Sequence, residues 1–366
     1  MKTSIFFVHL LNDFSGSPRV LRDAIDIVSE DPFFDIHIVT SDGNGFLSDT
    51  KAYLHKFSYK PYQNKYVRLF KYIVAQFLLF FVLSCQLIKV RLCGNRSVVI
   101  VNTLLPFGGH IAAKLFGHKV ISYIHETYLK PKLLKSFLKK IVFMCSDKVL
   151  FVSNYVRDEL NINHPNGIVL YNGLRRDFLN ISIDTKQKFN EKNVLFVGSL
   201  KPYKGIYSFV RLSRLLPGFN FVAILNTSDS EYKDFEIYLH GIETKNLTIV
   251  RNPSNLAEYF ARAFVILNLS DPDNCVETFG LTLLEGMSFG TPVIAPPFGG
   301  PLEFVDDAVG KLIEPTNIDE IANFITYISE DYFVWENLSS NCLRRSKQYS
   351  ADVYKKSFFD VLSEFI

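Results

Sequence analysis

The stretch Asn193-Val-Leu-Phe-Val-Gly-Ser-Leu200 reads as a buried strand running into a glycine turn, and it opens a second series of alternating strands and helices in this chain. Downstream of it the pattern predicts a helix over 205–216, strands over 220–225 and 247–250, a helix over 254–262 and a strand over 264–268. Upstream lies the first series. It predicts strands over 4–10, 35–40, 97–102, 119–124 and 148–152, with helices over 18–28, 66–90, 109–116 and 132–145. Apolar strands separated by helices of this length imply parallel βαβ units, so the expectation is α/β with two doubly wound domains in tandem. The polar stretch 175–192 between the two series has the composition of a linker. The first domain is accordingly expected over 1–178 and the second over 190–347.

A chain of 366 residues, 48% hydrophobic and 21% charged, suits about two globular domains. Cys85, Cys93, Cys145, Cys275 and Cys342 are odd in number and lack a Cys-x-x-Cys pair, which argues against a disulfide framework or a zinc site. A reducing, cytoplasmic location is expected. The N-terminal apolar run is broken by His9 and followed by Asn12 and Asp13, which reads as a first buried strand and not a secretion signal. The net charge of +3 conceals an asymmetry: residues 1–180 hold 23 Lys and Arg against 13 Asp and Glu, leaving 17 against 24 in residues 181–366. Residues 51–140 alone carry 16 basic side chains and one acid, Glu126. Such a field attracts anions.

The apolar run 72–88 is interrupted by Gln76, Ser84 and Gln86 and reads as shorter than the roughly 20 residues a bilayer span needs, so a buried domain helix is expected. Lys65, Arg68, Lys71, Lys89 and Arg91 flank it. Residues 129–143 place Lys132, Lys135, Lys139 and Lys140 beside Leu133, Leu134, Phe137, Leu138 and Ile141, a basic amphipathic helix of the kind that rests on anionic membranes. Phe and Leu interleave these lysines, which disfavours nucleic acid as the partner.

Farther along, Asp273-Asn-Cys-Val-Glu-Thr-Phe-Gly-Leu-Thr-Leu-Leu-Glu-Gly-Met-Ser-Phe-Gly-Thr-Pro-Val-Ile-Ala-Pro296 places Glu277 and Glu285 around a helix start at Gly280. Backbone N–H groups at Gly280, Leu281 and Thr282 would favour an anion such as a diphosphate, with the two acids placed to accept hydrogen bonds from hydroxyls on either side.

Several separated pieces together resemble the retaining glycosyltransferases of family 4, of the GT-B fold in which two Rossmann-like domains face a central cleft. They are Ser15-Gly-Ser-Pro-Arg19, Tyr123-Ile-His-Glu-Thr127, Phe151-Val-Ser-Asn154, Val169-Leu-Tyr-Asn-Gly173, Phe196-Val-Gly-Ser-Leu-Lys-Pro-Tyr-Lys-Gly205, and the glutamate segment running on to Phe298-Gly-Gly-Pro-Leu-Glu303. The resemblance implies a nucleotide-diphospho-sugar co-substrate, no further cofactor and no metal. It assigns catalytic roles to His125 near the sugar's primary hydroxyl, Lys204 on the departing diphosphate and Glu277 on sugar hydroxyls, with Glu285 on the ribose. Gly16, Ser17, Gly198, Ser199, Phe279, Gly280, Leu281 and Thr282 complete the implied donor site. It also implies a C-terminal helix over 348–366 packing back on the first domain. A peripheral enzyme at the inner membrane face, acting on a lipid-linked saccharide in bacterial surface polysaccharide or O-antigen synthesis, is the expected setting.

Two departures stand out. The family usually has arginine where Ser199 stands, leaving Lys204 to act alone or with Lys201 or Arg19, and the first-domain loop has one glycine, Gly16, where two are common. Asp271-Pro-Asp273 reads as a solvated loop pair and not a metal site, and no Gly-x-Gly-x-x-Gly follows a predicted strand. A nucleotide-sugar epimerase and a non-catalytic sugar-nucleotide-binding subunit are the competing functions.

Overall fold

A computed structural model describes residues 2–178, 182–242, 245–253 and 255–366. The chain divides into two compact units, residues 1–173 with 352–366, and residues 174–351. The first unit contains β1 (Thr3–Val8), α1 (Gly16–Val28), β2 (Phe34–Ser41), β3 (Tyr53–Phe57), α2 (Lys65–Leu92), β4 (Arg96–Asn102), α3 (Phe107–Leu115), β5 (Lys119–Ile124), α4 (Lys132–Cys145), β6 (Lys148–Phe151), α5 (Asn154–Leu160) and β7 (Gly167–Val169). The second contains α6 (Thr185–Glu191), β8 (Asn193–Ser199), α7 (Ile206–Leu215), β9 (Asn220–Asn226), α8 (Asp229–His240), β10 (Leu247–Arg251), α9 (Ala257–Arg262), β11 (Ala263–Leu267), α10 (Leu281–Ser288), β12 (Val293–Ala295), β13 (Gly310–Leu312), α11 (Ile318–Glu330) and α12 (Tyr332–Ser346). The last helix, α13 (Ala351–Ser363), belongs to the first unit from Asp352 onward.

The strands run β3-β2-β1-β4-β5-β6-β7 in one sheet and β10-β9-β8-β11-β12-β13 in the other. Pairings from β1 to β2 and β4, and from β8 to β9 and β11, are parallel. The chain therefore winds outward from a central strand twice, and in each sheet the direction of winding reverses between that strand and its neighbour, β1 and β4 or β8 and β11. A ligand crevice in open α/β sheets forms at the carboxyl ends of such a pair.

The stretch expected to be a linker is largely part of the second unit. Leu174 N–H donates to Tyr349 O at 2.8 Å, and the Phe178 ring packs against Phe260 and Phe289. Helix α6 follows, capped by Asp184, whose side chain accepts from Gln187 N–H at 2.9 Å. Lys188 on α6 is 1% exposed, and its ammonium donates to Phe289 O and to Thr291 Oγ1. Burial pushes its pKa down to about 7. The expected residues 179–181 of this stretch, and Ser254 at the start of the helix anticipated over 254–262, lie outside the described residues.

Helix α2 corrects a second expectation. It has 28 residues, enough to cross a membrane by length and composition, and 39% of its most apolar window is buried. Asn64 caps its start by accepting from Tyr66 N–H at 2.9 Å, and Lys89 and Arg91 sit in its last turn, where cations are favoured. Tyr72, Ala75, Leu79, Leu83, Leu87 and Val90 face the core. Gln76, which had looked like an interruption, is used: its Oε1 accepts from Gly108 N–H at 2.9 Å. A Cβ on Gly108 would lie 2.3 Å from Gln76 O, so glycine is what allows α3 to approach α2 this closely.

Candidate functional site

The centre of the second unit is built by two loops from adjacent strands. β8 ends at Ser199, and a 3-10 turn, Pro202–Lys204, leads through Gly205 into α7. The loop after β11 carries Asn268, Asp271, Cys275 and Glu277 to the start of α10. Asp271 N–H donates to Tyr203 O at 2.8 Å and ties the two loops together. Gly205 makes that possible. It has φ +87°, and a Cβ there would stand 2.2 Å from Leu269 O.

These contacts bring Lys204 and Glu277 together across 73 positions of sequence, with Nζ donating to Oε2 at 3.0 Å. Asn268 Nδ2 reaches the same oxygen at 3.4 Å. Side-chain exposures of 23% and 24% leave both charges half-sheltered and still open to a ligand. Burial by itself would raise the Glu277 carboxyl pKa, but the Lys204 ammonium, with hydrogen bonds from Asn268 and the Gly280 amide, holds it below the ordinary range. Burial would likewise lower Lys204, and the neighbouring Glu277 carboxylate outweighs it and raises its pKa. Cys275 adds a thiol whose pKa burial raises and Lys204 moderates.

Helix α10 starts at Gly280, φ +94°, without a side-chain cap. The amides of Leu281 and Thr282 have no helical carbonyl behind them, and both residues are partly exposed. The loop Phe298-Gly-Gly-Pro301 packs behind this segment. Gly300 N–H donates to Glu277 O at 2.8 Å, and Cβ atoms on Gly299 and Gly300 would each fall 2.4 Å from the backbone of residues 277–279. The double glycine thus holds the Glu277 loop in place. Glu285 is buried, 5% exposed, one turn into α10. Phe279 is 2% exposed, and its ring packs against Phe304 and Tyr349 at 5.8 and 6.0 Å, so its side chain is committed to the core. Gly198 and Ser199 are partly exposed at the end of β8. Of the two substitutes considered for the missing arginine, Lys201 is ion-paired with Glu231 and Arg19 with Asp23. Asp271 folds its own loop, its Oδ1 accepting from Asp273 N–H at 3.0 Å and its Oδ2 from Asn274 Nδ2 at 2.6 Å.

In the first unit His125 follows β5 and stands beside the end of β4. Its Nε2 lies 2.7 Å from Asn102 Oδ1, and Asn102 Nδ2 lies 3.1 Å from both His9 Nδ1 and Ser17 O. With the amide so oriented, His125 Nε2 carries the proton and His9 Nδ1 does not. Burial pushes His125 down to about 3 and His9 to about 4, so both rings are neutral near neutral pH. Glu126 accepts from the Leu104 amide at 2.6 Å, and burial pushes its carboxyl up to about 7. Gly16 opens α1, is exposed, and would accept a Cβ with nothing within 4 Å, so the chain's own packing does not demand glycine there.

Asn102, Asn268 and His9 were not anticipated as site residues. The available signal was position: each is a polar residue at the carboxyl end of a buried apolar strand beside a winding reversal. Asn102→Ala would leave the Ser17 carbonyl and two histidine nitrogens without their partner. A loss of about 1–3 kcal/mol is expected in denaturant unfolding of the first unit, and a loss under about 0.5 kcal/mol would show that water replaces the amide.

Residues 180–348 match the family model described as Glycosyl transferases group 1. Two uncharacterized glycosyltransferases of Methanocaldococcus jannaschii are 27% identical over 238 and 230 residues, covering 60% and 61% of this chain. The chain spans 58% and 61% of those relatives' lengths. A sucrose synthase of Melioribacter roseus is 40% identical over 86 residues, 22% of this chain and 11% of that protein. Among solved structures, Anabaena HepE in complex with UDP and glucose superposes with a TM-score of 0.80 at 17% identity, covering 98% of this chain and 99% of that one. Sucrose-phosphate synthase from Thermosynechococcus elongatus gives 0.82 at 17% identity, covering 99% of each chain. The chain therefore has the GT-B fold of glycosyltransferases, and its second unit carries the match to glycosyl transferases group 1.

Proposed function

We propose that this chain is a retaining, metal-independent glycosyltransferase that moves a hexose-type sugar from a nucleotide-diphosphate donor to a lipid-linked saccharide. The observation that carries the reading is the Lys204–Glu277 pair, about a quarter exposed at the winding reversal of the second sheet and beside the start of α10. In this reading the diphosphate meets the first-turn amides of α10 and the Lys204 ammonium, which together stabilise the charge that builds as the bond from the anomeric carbon to phosphate oxygen breaks. Glu277 accepts from sugar hydroxyls, Glu285 from the ribose, and neutral His125 contacts the primary hydroxyl. The acceptor oxygen forms the new bond on the face the diphosphate leaves, and its proton passes to the departing phosphate. No separate base is required. The basic α4 and the field of the first unit suit an anionic membrane surface, which supports reading the enzyme as working at the inner face of the membrane in surface-polysaccharide synthesis of the O-antigen type.

HepE binds UDP and glucose in its solved complexes, which makes uridine diphosphate sugars the first donors to try. Thermal unfolding against a panel of nucleotide sugars tests the reading. A donor at 100 times its Kd stabilises the native state by about 2.7 kcal/mol, and its midpoint should rise accordingly. The reading fails if no nucleotide sugar shifts the midpoint, or if Lys204→Ala and Glu277→Ala shift as the unsubstituted protein does.

A further inference from the structure

The side of α2 opposite the core carries Tyr66, Phe70, Phe77, Phe81, Ile88 and Leu92, between 40% and 82% exposed. Their spacing in steps of four and seven places them along one stripe of the helix. Soluble proteins rarely leave so continuous an apolar face uncovered. At 28 residues the helix is about 42 Å long. It cannot turn to cross a bilayer without withdrawing Tyr72, Leu79, Leu83 and Leu87 from the core. Its neighbours extend the surface: α2 contacts α3, α3 contacts α4, and the Phe107 and Phe137 rings meet edge to face at 5.3 Å. Leu133 on α4 is 85% exposed.

Charge selects the occupant. Lys65, Arg68 and Lys71 lie at one end of the stripe, Lys89 and Arg91 at the other, and Lys132 and Lys140 stand exposed on α4. Residues 51–140 hold 16 basic side chains and a single acid, so a second copy docked by this face would oppose like charges with only Glu126 from this segment to meet them. An anionic lipid surface supplies both the missing negative charge and an apolar boundary layer.

We propose that α2 lies in the plane of an anionic bilayer, its outer stripe within the headgroup and acyl boundary and its core stripe still holding the first sheet, with α4 as the adjoining electrostatic contact. This proposal rests on the lipid-linked acceptor suggested above and gives that acceptor its approach: the membrane would be held against the unit that carries His125.

Co-sedimentation with phosphatidylcholine vesicles, with and without phosphatidylglycerol, tests it. Binding is expected to the anionic vesicles and to fall at least about tenfold without the anionic lipid or with Phe70→Ser, Phe77→Ser and Phe81→Ser combined. Those positions are exposed, so the variant should unfold at the unsubstituted midpoint. Phe77→Trp gives a direct reading, because the chain's one tryptophan, Trp335, is fully buried: its added emission should shift to the blue on anionic vesicles. Absence of vesicle binding overturns the proposal. So does resistance to alkaline extraction, which marks a span, or concentration-dependent dimerisation that the serine variant abolishes in place of vesicle binding. A protein that binds vesicles but shows no donor-induced thermal shift would count against the transferase reading alone.

Discussion

Alanine in place of Lys204 is expected to lower the rate of sugar transfer on the order of 10²–10³-fold with the fold intact. The argument is electrostatic. Lys204 is the cation closest to Glu277, at 3.0 Å, and Lys201 and Arg19 already have carboxylate partners in Glu231 and Asp23. With serine at 199, loss of the Lys204 ammonium would leave the α10 amides as the main counter to the charge of the proposed diphosphate. Glu277→Ala should lower the same rate by a comparable factor, through lost sugar hydroxyl contacts. Stability should move much less. Because each side chain is about a quarter exposed, the coupling measured by a double-mutant cycle in unfolding should be about 1 kcal/mol or below.

The pH window of that pair follows from its shifts. Glu277 is depressed, so its contribution is present above its unfolded pKa near 4.5 and is lost as pH falls through the folded value. Lys204 is raised, so its contribution is present below its unfolded pKa near 10.5 and is lost as pH rises through the folded value. The pair is fully charged across the neutral range. Any change in transfer rate between pH 5 and 9 is therefore expected to come from another group, and Glu126, pushed up to about 7 by burial next to His125 in the chain, is a candidate. Transfer that is unchanged in Lys204→Ala would remove the site assignment altogether.

How much of this was readable beforehand depends on which physical signal each element left. β1, β4, β5, β8 and β11 are buried apolar runs, and apolar runs between helices announce a doubly wound sheet. β3 and β7 carry weaker signals: one includes His55 and Lys56, and the other is three residues long. Helix α6 was read as linker because its composition is polar. Lys188 stabilises it by burying an aliphatic stem and placing its ammonium on Phe289 O and Thr291, which composition does not reveal. Helix α8 left a signal that went unused, the Ser228–Glu231 capping box. In α2 apolar residues lie all round the helix, so periodicity could not separate its core stripe from its exposed one. The glutamate pair stood out from its place around a helix start and Lys204 from the resemblance, and the contact that joins Lys204 to Glu277 is what the fold adds. The Asn102 link between two histidines was not, because it joins the ends of three strands far apart in sequence.

Gly205→Ala is expected to be among the more damaging single-methyl changes in the second unit, destabilising it by more than about 3 kcal/mol. Two costs add there. A left-handed backbone at φ +87° charges an L side chain roughly 1–2 kcal/mol, and the new Cβ would stand 2.2 Å from Leu269 O and 2.4 Å from Leu269 Cβ. The carbonyl is backbone in the loop that leaves β11, so relief requires the two loops to part. Parting them breaks the Asp271 to Tyr203 hydrogen bond and draws Lys204 away from Glu277. Gly94 and Gly117 provide the control, since they have φ +73° and +71° with nothing within 4 Å of a Cβ. Alanine at those two sites should show the backbone cost alone, about 1–2 kcal/mol. The difference between Gly205→Ala and these controls, read from denaturant unfolding, isolates the overlap with Leu269. If the three substitutions cost the same, the two loops are not pressed together at this glycine, and the close placement of Lys204 on Glu277 would need another cause.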